Sequence, residues 1–174
     1  LVLHNVGGVL INRYGYAETT ESELFEEDTF FQVSLLFPDP FIYDLQETVL
    51  INENGTWVTV PFTYPGTADT GFEAEIHISD VTNRLTLRNN KKTMVINHDF
   101  IGGDVVNVNT VEENWDLTYT RGGVTYPLVG KLDPESPWLT LSARRNAMSV
   151  YGATPEQTIA GVKMLKYRAA YWGV

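Results

Sequence analysis

From Gly102 to Thr120 the chain alternates apolar and polar residues with a period of two, and that pattern ties it to a sheet. Val106 and Val108 fall opposite Val105, Asn107 and Asn109. In the second half Trp115, Leu117 and Tyr119 fall opposite Asp116, Thr118 and Thr120. Two such runs make a hairpin with one buried and one wet face, and the alternation predicts Trp115 in the core. Neither run carries a nucleophile, a ligand cluster or a phosphate loop.

The same short pattern recurs along the chain. Leu1 to Asn12, broken at Gly7-Gly8, reads as strand, turn, strand, and Thr29 to Phe37 as one strand ended by Pro38-Asp39-Pro40. Proline donates nothing to a ladder and holds its predecessor extended, so a linker between two units is expected at about Pro38 to Glu47. Beyond it, Thr48–Ile51 and Trp57–Phe62 flank an Asn-Gly turn. Further strands are expected at Glu73–Ile78, Arg84–Arg88, Thr93–Asn97, Val124–Val129, Trp138–Leu141, Asn146–Tyr151 and Val162–Trp172. About ten strands with no sustained 3.6-residue period predict an all-β, antiparallel β-sandwich.

Composition narrows function by exclusion. A chain of 174 residues holds an ordinary core without staples, and with no cysteine it can form neither disulfides nor thiolate metal sites. Twenty-two acidic against twelve basic residues give a net charge of −10, which opposes nucleic-acid phosphates and anionic lipid. No apolar run approaches the roughly 20 residues of a membrane helix. The first residue is Leu rather than Met, as expected of a piece of something longer.

Candidate chemistry is sparse. His4, His77 and His98 stand in separate runs with no metal-ligand spacing. Glu73 and Glu75 share a strand face roughly 6.6 Å apart, a separation compatible with a glycosidase pair but equally with two acids on a wet face. Ser136 and Ser142 lack a nucleophile-elbow context. The tract from Glu18 to Asp28 suits a solvated loop or a short helix, and Arg144-Arg145 is a basic pair able to meet an acidic neighbour. Trp57 and Trp115 could form a platform for sugar rings, although large aromatics in a small β domain are more often core. Neither a metal nor another cofactor is called for.

Several ordered spans point further. Phe37-Pro38-Asp39-Pro40-Phe41-Ile42-Tyr43, Tyr64-Pro65-Gly66-Thr67-Ala68 and Gly103-Asp104-Val105-Val106-Asn107-Val108-Asn109-Thr110 come first. Ser136-Pro137-Trp138-Leu139-Thr140-Leu141 with Arg145-Asn146, and Tyr167-Arg168-Ala169-Ala170-Tyr171-Trp172-Gly173-Val174, complete the set. Together, over about Phe30 to Val174, they resemble the distal tail proteins of long-tailed, siphovirus-type bacteriophages. Each span alone is weak; their order and spacing carry the likeness.

That resemblance implies a structural, non-enzymatic virion protein of the tail tip, assembled in the host cytoplasm. Its N-terminal domain would close a homo-hexameric ring and its C-terminal domain would be a galectin-like (jelly-roll) sandwich. It would be a hub joining the tail tube protein to the baseplate and receptor-binding proteins, with no nucleic-acid or membrane partner. Residues 1–43 would then be the closing portion of the ring domain and residues 44–174 the sandwich. The motif residues Pro40, Pro65, Gly66, Gly103, Asp104, Pro137, Trp138, Asn146, Tyr171 and Gly173 would have scaffold roles, with the Trp138 ring filling the core. The animal galectins' sugar-binding signature is absent, since His98-Asp99-Phe100 does not fit it and Trp172-Gly173-Val174 ends the chain. A carbohydrate-binding module for host cell-wall polysaccharide is the alternative reading.

Overall fold

The computed structural model describes residues 2–6, 9–12, 16–22, 31–36, 41–51 and 59–172, so Pro40, the Asn52–Gly55 turn, Trp57 and Gly173 lie outside the described residues. These described residues are all-β: sixteen strands in antiparallel sheets and one short 3-10 turn at Val129–Lys131. The largest sheet runs β13 (Val124–Pro127), β12 (Asp116–Arg121), β11 (Val105–Asn109), β8 (Glu73–Ile78), β15 (Ala160–Tyr167) and β6 (Thr48–Ile51). A second holds β10 (Lys92–Phe100), β9 (Thr82–Asn89), β14 (Arg144–Tyr151) and β7 (Thr59–Tyr64). A third joins β1 (Val2–Val6), β2 (Val9–Asn12), β5 (Phe41–Asp44) and β16 (Ala170–Trp172), and β3 (Tyr16–Ser22) pairs only with β4 (Phe31–Leu36).

The core follows from alternation. On β8 Ala74, Ile76 and Ile78 are buried while Glu73, Glu75 and His77 are half-exposed. Val106 and Val108 of β11 bury likewise. Leu85, Leu87, Met94, Ile96, Met148 and Val150 of the second sheet belong to the same apolar cluster. Each such side chain contributes about 1.5–3 kcal/mol on burial, so this shared core is the main stabilising term.

Several expectations are revised. Part of the acidic tract is strand β3, where Thr19 and Thr20 supply β-branched residues and carboxylates are tolerated because the ribbon has only edges. The expected linker carries β5, which pairs with β16 near the other end of the chain. Trp138–Leu141 is extended but forms no strand, since Leu141 exchanges both backbone bonds with the single residue Thr70. The final run is two strands, β15 and β16, separated at Arg168-Ala169.

Beside β16 lies a knot that accounts for the Tyr64-Pro65-Gly66 span. The buried Tyr64 Oη donates to the Ala68 carbonyl at 2.9 Å and accepts from the Ala170 amide at 2.7 Å. Gly66 packs so close that a Cβ there would sit 2.2 Å from that hydroxyl and 2.5 Å from the Ala170 carbonyl oxygen. Tyr64→Phe leaves a buried acceptor and a buried donor unpaired, and should cost about 2 kcal/mol. Thermal melting should report a Tm lower by about 5 °C. Burial pushes the Tyr64 hydroxyl pKa up to about 12. The fold therefore favours the protonated phenol, and its contribution is complete below the ordinary tyrosine value near 10 and lost as pH climbs toward 12. The variant should show a shallower alkaline loss of stability, though not a flat one, because burial also raises Tyr167 and Tyr171.

Candidate functional site

The central hairpin of β11 and β12 places its connecting loop, residues 110–115, at one end of the largest sheet. The loop is pinned at its root. The Thr110 hydroxyl accepts from the Phe72 amide at 2.9 Å and donates to the Phe72 carbonyl at 3.2 Å, while the Thr110 amide bonds that carbonyl at 2.8 Å. Farther along, Val111 N–H bonds Asn109 Oδ1, Asn114 N–H bonds the Val111 carbonyl, and Glu113 takes a φ of 65°. The bend ends just before Trp115, and β12 begins at Asp116.

This geometry corrects the expectation for Trp115. The residue precedes the strand, so period two does not govern it, and its ring is 55% exposed. It stacks on Trp138 with ring centroids 5.6 Å apart and planes within 13°. Trp138 is half-buried against the core and does not fill it. The pair forms one wall of a cleft of about 640 Å³ whose other walls include Phe41, Asp69, Glu112 and Arg168. Trp172, 61% exposed, packs edge-on against Phe41 at 4.8 Å.

Gly71 lies under the cleft floor, where a Cβ would meet the Thr110 carbonyl oxygen at 2.3 Å and Val111 Cα at 2.4 Å. Both obstacles are backbone and cannot swing aside. Gly71→Ala should force the loop outward, cost about 2 kcal/mol and shift the Trp115 emission maximum, all measurable by fluorescence-detected melting.

A smaller depression of about 430 Å³ adjoins the cleft and includes Glu73, whose carboxylate pairs with Lys166 at 2.7 Å. Glu75 pairs instead with His77 at 2.6 Å, so each acid of the suspected pair already has its own partner. Among the described residues no group of three or more His, Asp or Glu could hold a metal.

The remaining motif residues hold the scaffold. Gly103 takes a φ of 95° in the turn before β11, where its missing side chain is required. Asp104 is 1% exposed: it accepts from the Ile101 amide at 2.9 Å and from Arg121 Nε and Nη2 at 2.8 and 2.6 Å. That ion pair closes the far end of the hairpin, opposite the Trp115 loop. Arg121 also lies over the Tyr119 ring at 5.3 Å. The buried Asn146 bonds both backbone groups of Ser142 and the Asn89 side chain. Pro65 and Pro137 are exposed, and half-buried Tyr171 donates to Asp44 at 3.4 Å. Arg144 and Arg145 are exposed.

Two likenesses place this architecture. The sequence profile described as "Siphovirus-type tail component, C-terminal domain" matches residues 65–171, which takes in the Tyr64 knot's far partner, the central hairpin, the Trp138 segment and the Asn146 loop. The chain belongs to that family. It is a phage tail component, a structural protein of the virion, and not an enzyme. The fold of this tail component is also that of the SPP1 Dit crystal structure, with a TM-score of 0.66 at 13% identity over 92% of the chain. That protein is described as a paradigm of the hub adsorption apparatus in phages infecting Gram-positive bacteria. The present chain spans 60% of its length. No curated protein matches the chain in sequence.

Proposed function

We propose that this tail component is a hub subunit at the tail tip, joining the tail tube to the baseplate and receptor-binding proteins. In this reading residues 44–174 form a galectin-like β-sandwich and residues 1–43 the closing portion of a ring domain whose copies assemble six to a ring. The observation that carries it is the extent of the SPP1 Dit likeness: 92% of the chain aligns, well outside the residues 65–171 that the family profile matches. The absence of cysteine and the acidic surface suit a scaffold that meets other proteins rather than nucleic acid.

Pairing of β5 with β16 ties the two proposed units, because the C-terminal strand completes a sheet begun by β1 and β2. A ring built on heterologous contacts needs both faces of its ring-forming unit. Electron microscopy of the full-length subunit should therefore show six-membered rings. A full-length protein that stays monomeric at high concentration would sink the hub reading.

A further inference from the structure

We propose that the cleft beside Trp115 binds a neutral oligosaccharide. This goes beyond a hub role and does not depend on it. The observation behind it is a tryptophan that is 55% exposed and stacked on a second one at the wall of a cleft. Burying one tryptophan face is favourable by area alone, so leaving it in water on an anchored loop marks a surface awaiting an occupant.

The chemistry of the occupant follows from the walls. Trp115 stacks on Trp138, which takes up one of its faces, so the pair presents a single flat outer face instead of several faces converging on a point. A flat apolar face fits the CH side of a pyranose ring; a cation cage needs convergent rings. Around that face stand Asp69, Glu112 and Asn114, oxygen acceptors suited to sugar hydroxyl donors. Among the described residues the cations at the cleft are Arg168, which already faces Glu47 at 3.8 Å, and Lys92, whose ammonium bonds Thr140 Oγ1 at 3.2 Å, against the acids Asp69, Glu112 and Glu113. Polyanions such as phosphate-bearing polymers are therefore disfavoured. A second copy of this chain is disfavoured too, because it brings a net charge of −10 to an acid-lined cleft. The volume of about 640 Å³ falls within the ordinary range for small-ligand sites.

The site is independent of the galectin signature, which this sequence lacks. It is built from the loop at 110–115 and the extended Trp138 segment, both held by the clasps described above.

The test uses the intact protein and a panel of neutral probes: chitotetraose, cellotetraose, maltotetraose and a galactan tetramer, titrated with tryptophan fluorescence and calorimetry as readouts. At least one should give saturable binding tighter than about 1 mM, insensitive to salt, and weakened about tenfold or more in Trp115→Ala at unchanged Tm. Val81→Ala, a 70% exposed residue outside the cleft lining, should bind normally. No saturable binding by any probe overturns the proposal. Binding that survives Trp115→Ala, or salt-dependent binding of choline to the same site, also overturns it. So does a concentration-dependent dimer that Trp115→Ala abolishes while the probes give no binding.

Discussion

Arg121→Ala should lower the stability of the protein by about 3 kcal/mol and the Tm by roughly 10 °C. The substitution strands a carboxylate. Asp104 is almost wholly buried, and without the guanidinium it keeps only the Ile101 amide. Breaking a buried pair from one side costs about 3–5 kcal/mol; the lower figure applies because the Arg121 side chain is 36% exposed. Arg121→Lys keeps the charge but loses the two-pronged contact, so an intermediate Tm is expected. The acid limb gives a second readout. Hydrogen bonding to Arg121 holds the Asp104 carboxyl below the usual carboxylate range. Its contribution is complete above the unfolded value near 4 and disappears as pH falls through the depressed folded value. Burial and the nearby Arg121 charge likewise push His98 down, so acidification below about 6.5 removes stability there as well. Carboxyl and imidazole titrations by NMR should show both groups moving up in Arg121→Ala. A Tm within 2 °C of the parent would show that the pair contributes little.

Much of this pair was legible. In the hairpin register Val105 stands opposite Thr120, and extending the ladder by one residue brings Asp104 opposite Arg121. Alternation over Val105–Asn109 and Leu117–Thr120 fixes which side chains share a face, but it gives no signal at the strand ends, where the ion pair lies. Strand positions from Glu73 onward were legible because alternation is enforced by a core that takes every second side chain. The exceptions share a cause. Trp115 continues an alternating pattern yet lies just outside a ladder, and Trp138 falls opposite the buried Leu139 and Leu141, so side-chain direction is set there by a bend and by a single backbone bridge. The cleft was invisible for the same reason, since its walls come from residues near 41, 69, 112, 138 and 168. The strand at Phe41–Asp44 was hidden by its partner, Ala170–Trp172, which lies more than a hundred residues away.

The other large effect should come from Asn146→Leu, a change of similar size that removes every polar atom from a 2% exposed side chain. Asn146 Oδ1 accepts from the Ser142 amide at 3.0 Å and from Asn89 Nδ2 at 2.9 Å, and Asn146 Nδ2 donates to the Ser142 carbonyl at 2.8 Å. These bonds hold closed the turn in which Arg144 takes a φ of 83°, a conformation strained for a residue with a Cβ. Leucine fills the space but leaves those partners unpaired, at about 1 kcal/mol each, so a loss of about 3 kcal/mol is expected in denaturant unfolding. Asn146→Asp should cost at least as much, because it keeps both accepted bonds but sets a buried carboxylate oxygen against the Ser142 and Arg144 carbonyls. The consequence should reach the cleft. Asn89 Nδ2 also donates to the Thr140 carbonyl at 2.8 Å, two residues after Trp138. Freed from Asn146, that amide no longer fixes the Trp138 segment, and the stack with Trp115 should loosen. Near-ultraviolet circular dichroism of the folded variant should show a diminished tryptophan signal. A full signal alongside the 3 kcal/mol loss would mean that the Asn146 clamp stabilises the fold without positioning the aromatic wall.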